Sequence, residues 1–251
     1  MTKITKLEEL YGTYRCIYLD PPWLYEARPP GCRDLRDIYK GGEMSLKQIA
    51  ALPIRQLGHP DRKCLVFMWC TWPKMRDQCH VRVFEVWQLR WVSDLVWDKQ
   101  LMGTGRRFRK QTEVLLVGIP RDAPPNLLFQ RNDARDILRV PSERGSGRHS
   151  SKPLVMYKLL ESVAPGPRIE LFARCHPPGW DVWGLEAPEE TGCDETTTPE
   201  VGSSLRTRRS VSVAPRDRMA LSAFRSLTSC SRLTWPDRPP WPGGIRNEWG
   251  A

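Results

Sequence analysis

Asp20, Pro21, Pro22 and Trp23 are the residues of this chain whose types and spacing point most directly to chemistry. They follow an apolar run that begins at Tyr14 and is typical of a buried strand. Because a proline holds the preceding residue in extended backbone, the strand is predicted to end at Asp20. A carboxylate at the carboxyl end of a strand lies where open α/β sheets bind their ligands.

The residues after Asp20 add two kinds of recognition. The consecutive prolines predict that the carbonyl groups of Asp20 and Pro21 face outward as rigid, unshared acceptors. Trp23 provides a flat ring on which a nucleobase could stack. Together these groups would suit an aromatic amine presented for methyl transfer. The alternative is a turn made by two prolines, followed by a tryptophan that is only buried.

Strand-like and helix-like segments alternate along the chain and must position these residues. Strands are predicted at residues 14–20, 64–69, 91–97, 113–118, 137–140, 169–173 and 180–183. Helices are predicted at residues 46–52, 73–89 and 154–163, and Ser45 is expected to cap the first of them. This alternation predicts an α/β fold with a parallel-rich sheet and helices on both faces.

Length and charge restrict the class of protein. A chain of 251 residues can form one sizeable domain with a core, or one domain with an appendage. The formal net charge of +10 makes nucleic acid the expected partner, although an arginine-rich composition also follows from a GC-rich genome. No apolar stretch of membrane-spanning length and no secretory leader is present, so we expect a cytoplasmic protein with no membrane partner.

The eight cysteines form neither a disulfide framework nor a metal-binding pattern. No CxxC pair is present and no histidine stands at zinc-ligand spacing, so no metal is expected. Cys16, Cys64 and Cys70 lie in apolar runs and are predicted to be small buried side chains. This cysteine usage fits a reducing cytoplasm.

The composition changes near residue 190, where we predict the end of the folded domain. Residues 191–251 contain no lysine, nine arginines and six acidic residues, with few apolar residues in any periodic pattern. Because such a segment buries too little apolar surface to offset its ordering entropy, we expect a domain at 1–190 and a disordered tail at 191–251. The tail is either an aberrant extension from a frameshift or read-through, which we favour, or a basic nucleic-acid-binding tail.

The chain resembles the adenine methyltransferases that carry a DPPW motif, the family named after the seventy-kilodalton subunit of the mRNA adenosine methyltransferase. The resemblance covers residues 12–187 and is strongest to compact bacterial and phage members. Besides Asp20-Pro21-Pro22-Trp23, the matching segments are Tyr39 with Met44-Ser45, Leu65-Val66-Phe67-Met68-Trp69, Leu95-Val96-Trp97-Asp98-Lys99, Gly103-Thr104-Gly105-Arg106-Arg107-Phe108, Gln111-Thr112-Glu113-Val114-Leu115-Leu116-Val117-Gly118, His149-Ser150-Ser151-Lys152-Pro153, Glu170-Leu171-Phe172-Ala173-Arg174 and Gly179-Trp180-Asp181-Val182-Trp183-Gly184.

The resemblance implies a Rossmann-like methyltransferase fold with a permuted order of motifs. The catalytic strand comes first, and the strand that binds the methyl donor, at residues 169–173, comes near the end. The implied activity is S-adenosylmethionine-dependent methylation of the adenine 6-amino group in DNA, with residues 20–23 as the catalytic segment. The alternatives are methylation of adenosine in RNA and a catalytically inactive nucleic-acid-binding scaffold of the same fold.

The expected donor-binding residues are Lys152, Phe172, Arg174 and His176. Lys152 is a compact cation before a helix and suits the carboxylate of the donor, although a solvated lysine at a helix start is the alternative. The resemblance implies that Phe172 packs at the donor and that Arg174 and His176 reach its ribose. Leu185 departs from the family, which usually has an asparagine there for the donor's adenine.

Two further departures from the family concern the walls of the donor site. Pro177 stands where eukaryotic members carry asparagine. The 13 residues before the first predicted strand also lack the upstream segment that flanks the adenine in longer relatives.

The expected nucleic-acid contacts are Tyr39, Lys99, Arg106, Arg107 and Phe108. The target adenine must leave its stack, and Trp23 is expected to hold it. Tyr39 lies in a long loop that could act as a lid, and the alternative is that this tyrosine only anchors the loop. The basic residues around Phe108 indicate a backbone-and-stacking surface, or alternatively a solvated run of charges. No target-recognition domain is evident, so recognition is relaxed or a protein partner or homodimer supplies it.

Overall fold

Eight strands form one mixed sheet in the order β1-β8-β7-β2-β3-β5-β4-β6. The computed structural model describes residues 3–7, 10–25, 41–102, 108–123, 129–131, 133–142, 152–189 and 192. The strands are β1 (Lys3–Ile4), β2 (Cys16–Leu19), β3 (Leu65–Cys70), β4 (Leu89–Asp98), β5 (Thr112–Pro120), β6 (Ile137–Arg139), β7 (Arg168–Leu171) and β8 (Asp181–Trp183). The helices are α1 (Leu46–Ala50), α2 (Ile54–Leu57), α3 (Trp72–Arg76), α4 (Cys79–Val86) and α5 (Val155–Val163).

The strand that leads into Asp20 lies in the middle of the sheet, next to a strand from far along the chain. In β2, Ile17 pairs in parallel with Ile169 of β7 on one side and with Val66 of β3 on the other. Strand β5 is antiparallel to both of its neighbours, and every other strand pair in the described sheet is parallel. The predicted parallel-rich fold with permuted order is therefore confirmed.

Both faces of the sheet are covered, since β2 and β3 are buried at every position. In β2, Ile17 and Leu19 point to the core that contains residues of α1, α2 and α4. Cys16 and Tyr18 point to the opposite core, which contains residues of α5, as the period of two in a strand requires. Helices therefore lie on both faces, as predicted.

Cys16, Cys64 and Cys70 are buried as free thiols, which confirms their prediction as small apolar side chains. Burial raises the pKa of the Cys64 and Cys70 thiols to about 12. These cysteines therefore serve the packing of the sheet.

Three local features differ from the sequence prediction. The predicted helix 73–89 is interrupted, because Gln78 has a left-handed backbone with φ of 56° and separates α3 from α4. The short helix α2 and the edge strand β1 were not predicted. Strand β1 has only two residues, and a segment so short carries no periodic pattern that could reveal it.

The connection between β4 and β5 leaves and re-enters the sheet at the same edge as Asp20. Strand β4 ends at this edge, and β5 begins there because it runs in the opposite direction. The amide of Lys99 donates to the carbonyl of Gln111 at 3.0 Å and closes the base of the connection.

The described residues all lie in the first of two units of the chain, residues 1–200. The predicted tail, residues 191–251, lies outside the described residues apart from Gly192. Among the helices that the structure describes, none has both the length and the apolar character needed to cross a membrane.

Candidate active site

A tight turn follows Asp20 and shapes the centre of the site. The amide of Trp23 donates to the carbonyl of Pro21 at 2.9 Å, a three-residue turn that the fixed φ of Pro22 favours. The amide of Met44 donates to the carbonyl of Pro22 at 2.6 Å. The prediction that the Pro21 carbonyl is unshared is therefore wrong, although a carbonyl oxygen keeps a second lone pair for a ligand.

Trp23 supports the turn from inside the protein. Only 5% of its surface is exposed, and its indole N–H donates to the backbone carbonyl of Trp69 at 3.3 Å. The prediction of Trp23 as an open stacking plate is therefore wrong in this structure, because the large apolar ring gains more from packing in the core. The alternative interpretation, a buried tryptophan after a double-proline turn, describes its placement.

Asp20 is the first member of a line of alternating charges. Its Oδ2 atom lies 2.6 Å from the Nζ of Lys152, which also lies 3.3 Å from Oε2 of Glu113. The Oε1 atom of Glu113 accepts from Lys99 at 3.0 Å. The Nζ of Lys152 also lies 5.3 Å from the ring centroid of Trp69. We call Asp20, Lys152, Glu113 and Lys99 the ion cluster.

The ion cluster has two consequences for its members. Burial alone would raise the pKa of Glu113, but the ammonium groups of Lys152 and Lys99 lower it below its ordinary value. Within the described residues the Oδ1 atom of Asp20 has no hydrogen-bond partner, and Asp20 also lines the cavity described below. Glu113 was not among the expected site residues, and its only signal in the sequence is an acidic residue at the start of an apolar strand.

A cavity of about 480 Å³ opens on the other side of Asp20, at the carboxyl ends of β2, β7 and β8. Its volume is in the range of small-molecule sites. Strand β1 closes its far wall, so the short N-terminal segment contributes to the cavity despite the departure noted in the sequence. The lining residues are Lys3, Ile4, Thr5, Asp20, Pro22, Gly41, Gly42, Met44, Phe172, Ala173, Arg174, Trp183, Gly184, Leu185 and Glu186.

The floor of the cavity depends on a close approach of two backbones. The amide of Ala173 donates to the carbonyl of Trp183 at 3.0 Å. A Cβ on Gly184 would lie 2.9 Å from the amide nitrogen of Ala173, so only glycine fits there. Phe172 adopts a left-handed backbone with φ of 64°, a conformation that concentrates at functional sites.

Arg174, an expected donor contact, lines the cavity, and its Nε lies 3.3 Å from the Oε2 of Glu186. Leu185 also lines the cavity and is 73% exposed, so an apolar side chain faces the space where the family has an amide. His176 does not line the cavity. It is 1% exposed and its two ring nitrogens have no partner among the described residues.

Glu170 lies in β7 beneath the site and was not among the expected functional residues. It accepts a hydrogen bond from the hydroxyl of Tyr157 at 2.7 Å and is paired in register with Tyr18 of β2. Burial raises the pKa of Glu170 to about 8, and the charge of Asp20 adds to this shift while the Tyr157 hydrogen bond opposes it. The sequence contains one indication of this residue, namely an acidic side chain in the middle of a run predicted to be a buried strand.

Only two of the predicted nucleic-acid contacts, Lys99 and Phe108, lie among the described residues. Phe108 is 90% exposed and Lys99 belongs to the ion cluster. Tyr39, Arg106 and Arg107 lie outside the described residues. In the described part of the chain, no three metal-ligating side chains come together.

The mostly parallel sheet, with a cavity and an acidic residue at the carboxyl ends of its strands, is the arrangement of an α/β Rossmann-like fold. The family model of MT-A70 matches residues 14–186. The chain therefore belongs to the MT-A70 family. This assignment confirms the resemblance found in the sequence and the predicted class of enzyme, a methyltransferase.

Three relatives show how the similarity extends along the chain. The type II methyltransferase M.MunI of Mycoplasma is 31% identical over 210 residues, which cover 75% of this chain and 86% of that protein. The mouse N(6)-adenine-specific methyltransferase METTL4 is 28% identical, over 69% of this chain and 37% of its own. An Arabidopsis N(6)-adenosine-methyltransferase MT-A70-like protein is 29% identical, over 67% of this chain and 22% of its own.

Proposed function

We propose that this protein transfers the methyl group of S-adenosylmethionine to the 6-amino group of adenine in DNA. One observation carries the proposal: Asp20 lies on the boundary between a cavity of donor size and a basic edge of the sheet. The similarity to a type II methyltransferase over most of both chains favours DNA as the substrate.

The residues of the cavity fit S-adenosylmethionine. Apolar side chains of Phe172, Trp183 and Leu185 offer packing for an adenine ring. The carboxylate of Glu186 and the guanidinium of Arg174 suit the ribose hydroxyl groups. When bound, the donor supplies an electrophilic methyl group on a sulfonium centre.

Lys152 would attract the carboxylate of the donor, as expected from the sequence. Its ammonium group already contacts Asp20 and Glu113, so a donor carboxylate would share it with them. His176 would serve as a buried support below the ribose, because its ring lies outside the cavity lining.

Asp20 would act on the adenine by electrostatics and orientation. The 6-amino nitrogen is a poor nucleophile because its lone pair is delocalised into the ring. The Oδ1 of Asp20 and the free lone pair of the Pro21 carbonyl would accept its two protons and direct the lone pair toward the cavity. The carboxylate then stabilises the positive charge that develops on nitrogen, and Lys152 holds it in place through Oδ2.

The base must leave its stack to reach Asp20, so the substrate is a flipped or single-stranded adenine. The exposed ring of Phe108, followed by Arg109 and Lys110, supports a stacking and phosphate-binding role for this loop. Lys99, Tyr39, Arg106 and Arg107 complete the proposed contacts. A protein partner or a second copy of the chain would supply target recognition.

The test is methyl transfer from labelled S-adenosylmethionine to oligonucleotides. Duplex DNA, single-stranded DNA and single-stranded RNA of mixed sequence are compared with matched strands that lack adenine, and the products are digested to nucleosides. The proposal predicts that the label appears in the N(6)-methylated adenine nucleoside. It also predicts that the DNA strands yield more of this product than the RNA strand does. Preference for RNA would identify the chain as an adenosine methyltransferase of RNA. Donor binding without transfer to any strand would favour the inactive scaffold.

A further inference from the structure

Trp69 lies beside Asp20 in the sheet, near the end of β3. The register of β2 and β3 pairs Leu19 with Met68 in parallel. The next position along each strand is Asp20 in one and Trp69 in the other. Tyr18 and Trp69 both point to the core that contains residues of α5. Asp20 follows Tyr18 by two positions, which return a side chain to the same face, so Asp20 and Trp69 are neighbours on that face.

Trp69 is held by contacts with three other aromatic residues. Its indole N–H donates to the hydroxyl of Tyr18 at 2.7 Å, and its ring packs edge-on against Trp97 with centroids 5.9 Å apart. The backbone carbonyl of Trp69 accepts from the indole N–H of Trp23 at 3.3 Å. Only 2% of Trp69 is exposed. The orientation of its ring is therefore tied to the strand that leads into Asp20.

The ammonium group of Lys152 lies over this fixed ring. Its Nζ atom is 5.3 Å from the ring centroid of Trp69, 2.6 Å from Oδ2 of Asp20 and 3.3 Å from Oε2 of Glu113. A π face attracts a cation although it carries no formal charge. The ring therefore holds the ammonium group without repelling a further carboxylate, whereas an acidic side chain in its place would repel one.

Trp87 shows what a buried tryptophan does in this protein when it serves packing alone. It is also 2% exposed, and its indole N–H donates to the carbonyl of Ala50 at 3.0 Å in the core on the opposite face. Among the described residues, no lysine or arginine lies over its ring. The two tryptophans share burial and a satisfied N–H, so the cation over Trp69 is the feature that distinguishes them.

We propose that Trp69 is a positioning residue of the donor site, whose ring holds the ammonium group of Lys152 beside Asp20 to receive the carboxylate of S-adenosylmethionine. Tyr18 contributes by fixing the ring. The inference rests on the proposed function, because that function assigns the donor carboxylate to Lys152. It adds two residues that do not line the cavity.

Two thioether ligands separate the carboxylate from the rest of the donor. S-adenosylhomocysteine carries the amino-acid end of the donor, whereas 5′-methylthioadenosine keeps the adenine and ribose and lacks that end. Calorimetry measures the affinity of the full chain for each ligand. Trp69→Leu should bind S-adenosylhomocysteine about five- to tenfold more weakly and methylthioadenosine as the wild type does. Trp69→Phe keeps a π face and should bind both ligands within about threefold of the wild type.

A double-mutant cycle tests whether Trp69 acts through Lys152. Lys152→Met removes the ammonium group and should weaken S-adenosylhomocysteine selectively. Adding Trp69→Leu to Lys152→Met should then cause no further loss of affinity, because the cation that the ring holds is already absent. A tryptophan that only filled the core would cost the same in both backgrounds.

Trp87→Leu is the matched control. It should lower the melting temperature as Trp69→Leu does, because each variant leaves a cavity in a core, and it should leave both ligand affinities unchanged. Tyr18→Phe provides a second test should Trp69→Leu fail to fold. It removes the acceptor of the indole N–H and keeps the ring, so a selective loss of about two- to threefold for S-adenosylhomocysteine is expected.

The inference is overturned if folded Trp69→Leu binds S-adenosylhomocysteine like the wild type, loses both ligands equally, or costs the same with and without the ammonium group of Lys152. If Lys152→Met binds S-adenosylhomocysteine like the wild type, the assigned role of the lysine and this inference fail together. Methyl transfer to adenine tests the proposed activity separately. A wild type that methylates DNA and binds the donor through Lys152, with no loss in Trp69→Leu, refutes the role of Trp69 alone.

Discussion

The two sides of Asp20 differ in what they offer a ligand. On the side of β7, β8 and β1 lies a cavity with largely apolar walls and a backbone floor that tolerates no Cβ at Gly184. On the side of β3, β5 and β4 lie alternating charges, and beyond them aromatic rings under ammonium groups.

This difference separates two kinds of recognition at one edge of a sheet. Shape and close packing suit a small ligand that must be enclosed, whereas charged groups and aromatic rings along an edge suit a polymer that only passes across the surface. Asp20 belongs to both sides, since it lines the cavity and begins the ion cluster. Substitutions on either side should therefore have separable effects, and only Asp20 should affect the reaction without a large change in either affinity.

Asp20→Ala should have the largest effect. Loss of the carboxylate that orients the amine and stabilises its charge should lower methyl transfer by about a thousandfold or more. Asp20→Asn should also be severely impaired, because it lacks the negative charge. Rates are measured with saturating donor and DNA, and circular dichroism checks the fold. An active, folded Asp20→Ala protein would refute the assigned role.

Gly184→Ala should damage the cavity side alone. The new Cβ would lie 2.9 Å from the Ala173 nitrogen, so the floor must shift, at a cost of about 1–3 kcal/mol in stability. Calorimetry should show much weaker S-adenosylmethionine binding, with nucleic-acid affinity unchanged. Gly192→Ala is the matched control, because no atom lies within 4 Å of its added Cβ. Equal donor affinity in both variants would contradict the assigned cavity.

Lys152→Ala tests which side the central cation serves. If it binds the donor carboxylate, donor affinity should fall by about 1.5–3 kcal/mol, more than nucleic-acid affinity. Lys99→Ala is the control, since Lys99 contacts Glu113 at the far end of the ion cluster. It should leave donor binding intact. A larger loss of nucleic-acid binding in Lys152→Ala would instead assign the lysine to the polymer side.

Glu170→Gln should change the pH dependence of stability. The folded state raises the pKa of Glu170 from 4.5 to about 8, so the folded protein binds a proton that the unfolded chain releases in this range. Stability of the wild type should therefore fall as pH rises from about 4.5 to 8. Relative to the wild type, the variant should gain up to about 4 kcal/mol at pH 8 and little at pH 4.5. Thermal melts across this pH range measure the difference in stability between Glu170→Gln and the wild type. If Glu170 were not the titrating group, this difference would be the same at every pH.

Leu185→Asn should have the smallest effect and the opposite sign. An amide in place of an exposed leucine at the cavity wall adds a hydrogen-bonding group for a base edge, worth about 0.5–1.5 kcal/mol. Donor affinity should rise by up to about tenfold, and Leu185→Ala should not raise it. Equal affinity in wild type and Leu185→Asn would show that the backbone of the cavity already satisfies the donor.

The sequence determined the elements whose residues carry strong local patterns. Buried strands such as β2 and β3 are continuous apolar runs, and prolines and glycines mark their ends, so their positions and the strand-end Asp20 were predictable. The ordered motifs were sufficient for the family and for the placement of Phe172 and Arg174 at a cavity. These features could be predicted because each depends mainly on residues that are close together in the sequence.

Only the tertiary structure decided the contacts between distant segments. Lys152 meets Asp20 across 132 positions of the chain, and nothing local to either residue requires that pairing. The burial of Trp23, the contribution of β1 to the cavity and the part of Glu113 in the ion cluster likewise depend on which strands become neighbours. The physical reason is that local pattern sets the conformation of a segment, whereas burial and charge pairing are set by everything that packs around it.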